Sequence, residues 1–213
     1  MRSSGCSLRL KKVLHASEQQ RPDVQMRRTD WRAERLPLPV EKLVFLDETS
    51  LKTNLVRQYG RARRGERVVD YAPHGHWRTT TLISALRHNE LTAPMVIDGA
   101  MDGPLFVAYV EHVLLPVLQP GDVVVLDNLS SHKSQRVQEL IASVGAEVAY
   151  LPPYSPDFNP IELAYSKLKW LLRSAAERTA DGLWNRVGQL FSAFSPKECL
   201  RYLRHCGYTS TLG

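Results

Sequence analysis

The sequence lacks several features that would place it in whole classes of protein. It has three cysteines, Cys6, Cys199 and Cys206, which are too few and too widely spaced for a disulfide framework or a zinc site. No run of about 18 apolar residues occurs, so no membrane-spanning helix is expected. The first twenty residues contain no apolar core of roughly 7–15 residues, the mark of a secretory signal. We therefore expect an intracellular, cytoplasmic protein.

The composition is that of a folded domain with an uneven distribution of charge. Hydrophobic residues make up 43% of the 213 residues and charged residues 23%, which is enough for an ordinary core. Residues 1–40 carry nine Lys and Arg against four Asp and Glu, whereas residues 41–213 are almost balanced. Five arginines also lie between residues 57 and 67. That density suits a polyanion such as nucleic acid, although a solvated loop would have the same composition.

The order of predicted elements indicates an α/β fold. Residues 8–35 are polar and basic with helical spacing around 8–15 and 23–35, and the two prolines of 36–40 predict a linker. After residue 40, strand-like and helical segments alternate, with helices at the end. The predicted strands are 43–46, 79–86, 122–126 and 148–151, and the predicted helices are 103–118, 134–144, 159–177, 181–193 and 196–204.

Two of the apolar runs end in an aspartate. Asp47 ends KLVFLD, and Asp127 ends DVVVLD. Continuous apolar runs of this length predict strands that are buried on both faces of a sheet. An acid directly after such a strand lies at its carboxyl end, where α/β sheets place their ligands. If the two strands are neighbours, Asp47 and Asp127 come together at one edge, whereas either alone is explained more simply as a turn or helix cap.

A third acid, Glu162, lies in YLPPYSPDFNPIELAYSKLKWLLR. Asn159, Pro160 and Glu162 match an N-cap, a first helical residue and the N3 position, so Glu162 could instead complete a capping box. The helix that follows would place Lys169 and Arg173 on the same face as Glu162. A carboxylate at the head of a basic stripe suits a metal-dependent enzyme that acts on a polyphosphate.

Three carboxylates that converge in this way favour a divalent cation. Mg²⁺ prefers oxygen ligands and is held by a few carboxylates together with substrate phosphate oxygens. Ionised carboxylates that lie close together repel one another unless a cation offsets their charge. Two such ions can activate the attacking oxygen and stabilise the leaving oxygen of a phosphoryl transfer. The trio therefore predicts a metal-dependent phosphoryl-transfer site.

Five segments carry a resemblance to a known family. They are FLDETS (45–50), YGRARRGER (59–67), PHGHWRTTT (73–81), VVLDNLSSHKS (124–134) and LPPYSPDFNPIE (151–162). Their order resembles that of the bacterial insertion-sequence branch of the Tc/mariner transposase superfamily. Thirty-four residues separate Asp127 from Glu162, which is similar to the spacing of the second and third acids in that branch.

The resemblance implies a fold, a chemistry and a set of partners. The implied fold is a ribonuclease H-like catalytic domain, a mixed central sheet flanked by helices. By motif, Asp47, Asp127 and Glu162 match the three catalytic acids, which bind Mg²⁺, with Mn²⁺ as the substitute and two ions expected. The family cuts DNA strands and transfers their 3′-OH ends into a target, so double-stranded DNA is the expected partner. A second copy of the chain, or a separately encoded DNA-binding protein, is expected to join it at the nucleoid.

The resemblance also divides the chain and adds residues to the site. Residues 41–213 match the catalytic domain, and we interpret residues 1–40 as a basic helical linker or the remnant of an N-terminal DNA-binding region. Asn128 and His132 are expected to line the active site, although His132 fits the entry of the next helix equally well. The residues expected to contact DNA are Arg57, Arg61, Arg63, Arg64, Arg67, Lys169 and Arg173.

Alternatives stay open at this level. A nuclease of the same fold could cut DNA or RNA without joining strands, and a silent transposase-derived protein could bind DNA without cutting it. His74 and His76 fit a loop or strand edge better than a metal site, because no further His or Cys lies at a suitable spacing. Tyr154 is a candidate for stacking on an exposed base, whereas Trp77 is better explained as a buried residue.

Overall fold

A single mixed sheet organises the protein. The structure, a computed structural model, describes residues 16–53, 55, 62–69, 79–128 and 133–209. The five strands are β1 (Leu43–Lys52), β2 (Thr79–Leu86), β3 (Leu91–Asp98), β4 (Val123–Leu126) and β5 (Glu147–Tyr150). Their spatial order is β3-β2-β1-β4-β5, in which β1 and β4 are parallel, β4 and β5 are parallel, and the other two pairs are antiparallel. The predicted mixed α/β sheet is confirmed.

Helices cover both faces of this sheet. They are α1 (Pro22–Glu34), α2 (Gly103–Tyr109), α3 (Gln135–Ser143), α4 (Ile161–Ala175), α5 (Ala180–Phe191) and α6 (Pro196–His205). After α2 the chain stays helical through a π-helical turn at Val110–Leu114 and a 3-10 turn at Leu115–Val117. None of the helices within the described ranges is long and apolar enough to cross a membrane.

The residues of β4 show how the two cores are separated. Val123 and Val125 face the cluster that contains α4, α5 and α6, whereas Val124 and Leu126 face the cluster that contains α2 and α3. All four side chains are buried, because successive residues of a strand point to opposite faces and both faces are covered. The continuous apolar run ahead of Asp127 is therefore a two-sided core strand, as the sequence predicts.

The other predicted strands and helices after residue 40 are also present, with bounds that differ by a few residues. The strand that the sequence analysis missed is β3, whose apolar pattern is interrupted by Pro94. Ala93 adopts a positive φ of 50°, and the pairing register with β2 shifts between Ile83 and Ala85. Proline is tolerated there because β3 lies at the edge of the sheet.

Helix α1 packs against the layer formed by α4, α5 and α6. Trp31 is buried in that cluster, and its indole Nε1 donates a hydrogen bond to the hydroxyl of Tyr208 at 3.0 Å. Leu36 and Leu38, from the predicted linker, pack at the margin of the same cluster. The helix predicted around 23–35 is thus confirmed, while the division of the chain near residue 40 stays a prediction and the helix predicted around 8–15 lies outside the described residues.

Candidate active site

Asp47 and Asp127 lie at one edge of the sheet on adjacent parallel strands. Phe45 on β1 is paired with Val125 on β4, and each aspartate follows two residues later. Neighbouring strands are about 4.8 Å apart, so the two carboxylates leave the sheet side by side. Asp127 directly follows β4, as predicted, but the expectation that Asp47 ends its strand is wrong, because β1 continues through Asp47 to Lys52 by pairing with β2. The prediction that the two strands are parallel neighbours is confirmed.

One cavity contains all three predicted acids. Its volume is about 530 Å³, and it opens between the middle of β1 at Asp47, the carboxyl end of β4 and the start of α4. Glu162, in the first turn of α4, is exposed, whereas Asp47 and Asp127 are partly buried. The lining residues are Asp47, Asp127, Asn128, Leu151, Pro152, Pro153, Tyr154, Ser155, Pro156, Asn159 and Glu162. The sheet and α4 thus bring the trio together across more than a hundred residues of sequence.

The Asp47 carboxyl has an unusual charge environment. Burial raises the pKa of Asp47 to about 7, and the negative charges of Glu162 and Asp127 act in the same direction. Two hydrogen bonds oppose the shift, one from the backbone N–H of Glu48 at 2.7 Å and one from the side-chain amide of Asn159 at 2.8 Å. The largest influences on the Asp47 pKa come from burial, two hydrogen bonds and two acids, and not from a Lys or Arg. The site therefore accumulates negative charge that a bound cation would offset.

The hydrogen bonds at the start of α4 do not form the capping box that the sequence offered as an alternative role for Glu162. The side-chain amide of Asn159 donates to Asp47, and its backbone N–H donates to the carbonyl of Pro156 at 3.0 Å. That backbone N–H is the group to which a capping-box glutamate would reach back. The two hydrogen bonds of a capping box, between the cap residue and Glu162, are therefore not formed. The Asn159 side chain bonds to Asp47 on β1 instead of capping the helix.

Two residues that the sequence analysis did not assign to the site also touch Asp47. Asn159 was interpreted as a helix cap, and it holds the Asp47 carboxylate. Tyr165, on the buried face of α4, donates its hydroxyl to the Asp47 carbonyl at 2.6 Å and shares a hydrogen bond with Ser84 on β2 at 3.0 Å. The available signal was that a buried tyrosine needs a partner for its hydroxyl, but the partner depends on tertiary packing.

The donor set of the cavity fits a hard divalent ion. Asp47, Asp127 and Glu162 offer carboxylate oxygens, and Asn128 adds an amide on the same wall. Within the described ranges, no three His, Cys, Asp or Glu side chains are grouped closely enough to hold an ion by themselves. Mg²⁺ does not need such a closed cage, since it keeps several waters and takes substrate phosphate oxygens as ligands. An open set of acids therefore suits Mg²⁺ better than a structural zinc.

The remaining predicted site residues lie at different distances from this cavity. Asn128 lines it, and so does Tyr154, which is 46% exposed and has a φ of 54°. Lys169 and Arg173 are partly buried further along α4. Arg63, Arg64 and Arg67 are exposed in the segment 62–69 between β1 and β2. The predictions for Arg57, Arg61, His132, His74, His76 and Trp77 lie outside the described residues.

Comparison with known proteins adds a family and a fold. The model of a family described as DDE superfamily endonuclease matches residues 42–183. No curated protein matches the chain in sequence. That family match covers the strands and the helix that carry all three predicted acids.

Solved structures of the Mos1 mariner transposase have a similar fold. The Mos1 paired end complex with Mn has a TM-score of 0.73 at 13% identity, and the paired end complex with Mg has a TM-score of 0.69 at 16% identity. These matches cover 95% and 93% of this chain and 64% of each Mos1 chain, so the chain spans less than two thirds of their length. The Mos1 catalytic domain alone has a TM-score of 0.58 at 11% identity, covering 86% of this chain and 84% of that domain. The ribonuclease H-like transposase fold is therefore confirmed.

Proposed function

The chain belongs to the DDE superfamily of endonucleases, and we propose that it is a transposase catalytic domain that cuts DNA strands and joins their 3′-OH ends to a target. The observation that carries the proposal is the convergence of Asp47, Asp127 and Glu162 on one cavity at the carboxyl edge of the sheet. The five motif segments support a narrower assignment to the bacterial insertion-sequence branch of Tc/mariner transposases. DNA at the nucleoid is then the substrate.

The three acids are the proposed ligands of the catalytic metal. When bound, Mg²⁺ supplies Lewis-acid chemistry that activates the attacking oxygen and offsets charge on the leaving oxygen. Mos1 paired end complexes with Mg and with Mn support Mg²⁺ as the ion and Mn²⁺ as the substitute. We propose two ions, because in-line phosphoryl displacement is stabilised at both the attacking and the leaving oxygen.

The protein's own contribution is to hold these acids in a fixed arrangement. Asp47 is oriented by the N–H of Glu48 and by the amide of Asn159, which occupy one carboxylate oxygen each. Tyr165 fixes the backbone of Asp47 from behind through its carbonyl. Glu162 lines the same cavity and is exposed, so it can approach a phosphate that enters the cavity. Preorganisation of this kind keeps the cost of reorganisation low at the moment of reaction.

The DNA-contacting residues are proposed from their charge and exposure. Arg63, Arg64 and Arg67 are exposed on the segment between β1 and β2 and suit contacts with phosphates, together with Arg57 and Arg61. Lys169 and Arg173 extend the basic surface along α4 from Glu162. The paired end complexes of Mos1 support a second copy of the chain as the partner, with a separately encoded DNA-binding protein as the alternative.

Incubation with DNA tests the proposal directly. The protein is mixed with duplexes that carry the element's ends and with a target plasmid, in Mg²⁺, in Mn²⁺ and in EDTA. We expect strand cleavage and joined products in both metals and neither in EDTA. Cleavage without joined products would indicate a nuclease of the same fold, and binding without cleavage would indicate a silent DNA-binding protein.

A further inference from the structure

The loop between β5 and α4 carries much of the active-site cavity, yet little regular structure holds it. Between Tyr150 and Ile161 the only helical element is a single 3-10 turn at Pro156–Phe158. This loop brings Tyr154 and Asn159 to the cavity and leads directly into Glu162. The position of Glu162 relative to Asp47 therefore depends on the contacts that fix this loop, together with the packing of α4 on β1 through Tyr165.

Arg28 of α1 contacts the loop at three of its residues, Ser155, Asp157 and Phe158. Arg28 is 8% exposed, and its guanidinium donates to both carboxylate oxygens of Asp157, at 2.9 and 2.7 Å. The same group donates to the hydroxyl of Ser155 at 2.7 Å and lies 4.5 Å from the centre of the Phe158 ring. A bidentate arginine–carboxylate pair fixes the orientation of the two groups as well as their distance. The contact with the Phe158 ring adds a cation–π attraction.

Other residues near α1 hold the loop at two further points. The side-chain amide of Gln19 donates to the Tyr154 carbonyl at 2.5 Å. Trp31 donates to the Tyr208 hydroxyl, which in turn donates to the Phe158 carbonyl at 2.8 Å. The loop is thus held by Gln19 and Arg28 from the N-terminal part of the chain and by Tyr208 near its other end, all outside the segment 42–183 that matches the family.

We propose that Arg28 is a positioning residue of the active site. By holding Asp157 and Ser155, it keeps Asn159 within hydrogen-bonding distance of Asp47 and keeps Glu162 at the mouth of the cavity. The proposal rests on the proposed function, because it assigns a role to Arg28 in the same site. It also gives α1 a part in catalysis besides linking the domain to preceding residues.

The test compares Arg28 variants with two controls, one at the N-cap of α1 and one within the helix. Arg28→Met removes the charge and all three hydrogen bonds to Asp157 and Ser155, and the Asp157 side chain, which is 44% exposed, stays in contact with water. Arg28→Lys keeps the charge but cannot form two parallel bonds. Arg21→Ala removes an exposed ion pair with Asp23, and Val24→Ala weakens the buried packing of α1 without altering a side chain that bonds to the loop.

Hydrogen exchange and Mn²⁺ binding report on the loop without any need for activity. In Arg28→Met we expect faster exchange at the amides of Phe158 and Asn159, whose hydrogen bonds close the 3-10 turn, and unchanged exchange in β4. Mn²⁺ affinity should fall about 10- to 100-fold, as it does when groups that orient metal ligands are removed. Turnover should fall about 100-fold while the KM for DNA stays near the parent value. Arg28→Lys should lie between Met and the parent.

Each outcome decides the proposal. Unchanged exchange and Mn²⁺ binding in a folded Arg28→Met protein would overturn it. An equal loss in Val24→Ala at equal thermal stability would also overturn it, since docking of α1 would then be the whole effect. If Arg28→Met does not fold, Arg28→Lys carries the same measurements. If the parent protein cuts no DNA, the proposed function fails, whereas exchange and Mn²⁺ binding still decide the role of Arg28.

Discussion

The two ends of β4 each carry an aspartate, and the protein treats them differently. Asp122, before the strand, is fully buried and is paired with the buried guanidinium of Arg87. The backbone N–H of Gln119 donates to the same carboxylate at 2.7 Å, and Arg87 also donates to the carbonyl of Val117. This end of the sheet therefore brings its own cation, as a buried carboxylate ordinarily requires.

At the other end of β4, Asp127 lies beside acids. Asp47 and Glu162 share its cavity, and burial together with these charges raises the pKa of Asp47 to about 7. Asp47 has an amide and a backbone N–H as partners where Asp122 has an arginine. Asp122 is thus neutralised by an arginine within the fold, whereas Asp127 belongs to the group of acids that we propose as the cation site.

The largest expected effect is the loss of activity in Glu162→Gln. Glutamine keeps the length and shape of the side chain but lacks the negative charge that holds a hard cation. A metal ion contributes several kcal/mol to phosphoryl transfer, and each 1.36 kcal/mol is tenfold in rate, so cleavage and joining should fall by about a hundredfold or more. DNA binding should persist.

Asp181→Asn is the matched control for this substitution. Asp181 is an exposed acid in the first turn of α5, as Glu162 is in the first turn of α4. Both substitutions therefore remove a favourable charge at a helix N-terminus, and both should cost little stability. If Glu162→Gln retains activity within about threefold of the parent while circular dichroism shows an intact fold, Glu162 is not a metal ligand.

The second prediction concerns the structural end of β4. Arg87→Met should lower the free energy of unfolding by about 3–5 kcal/mol, because it leaves Asp122 buried without its cation. Urea denaturation measures this change. The double variant Arg87→Met/Asp122→Leu should recover part of the loss, since an apolar pair removes the unpaired charge. Folded molecules of either variant should cut DNA at the parent rate. A lower rate per folded molecule would contradict this prediction and would mean that the Arg87–Asp122 pair also supports activity.

Much of this contrast could be predicted from the sequence. The apolar runs before Asp47 and Asp127 indicate buried strands, and their matching ends predict one shared edge, which the register of β1 and β4 confirms. Periodicity identifies such segments because the core is built from them. The sequence did not indicate that Asp122 would be paired with an arginine. Its partner Arg87 follows β2, so the pairing depends on tertiary structure.

The sequence analysis failed where one residue fits two geometries. Asn159 satisfies the pattern of a helix cap, but its amide bonds to β1, which no local pattern indicates. Arg28 is a charged residue in a largely polar helix and would be expected at the surface, although it is buried against the β5–α4 loop. A weak signal for that burial was the apolar pair Val24 and Trp31, seven residues apart on one face of α1.

The third prediction uses pH to separate Asp47 from ordinary acids. Its pKa is about 7 in the folded protein against 3.8 in the unfolded chain, so the folded state holds more protons between these values. The stability of the metal-free protein should therefore fall as pH rises from about 4 to 7 and level off above, with up to about 4 kcal/mol lost. Asp47→Asn should remove this slope.

Thermal melts in EDTA measure the third prediction. At pH 8 Asp47→Asn should melt above the parent protein, and at pH 4 the two should nearly coincide. Addition of Mg²⁺ at pH 8 should raise the melting temperature of the parent more than that of the variant, because only the parent gains a cation beside Asp47. A parent whose stability rises between pH 4 and 7 more steeply than that of Asp47→Asn would mean that Asp47 is stabilised as an anion within the fold, like Asp122.

The smallest effect per residue is expected at arginines whose charge faces water. Arg87 is buried against Asp122, whereas Arg63, Arg64 and Arg67 are exposed between β1 and β2. If these three bind phosphates, each releases counterions on binding, and removal of each arginine should lower the slope of log K against log salt by roughly 0.9. The triple alanine variant should therefore flatten the slope by up to about 3 for any DNA sequence.

The control removes three exposed arginines elsewhere, Arg178, Arg201 and Arg204, and should change the slope less. Equal slopes for the two triple variants would mean that net charge, and not this segment, governs DNA binding.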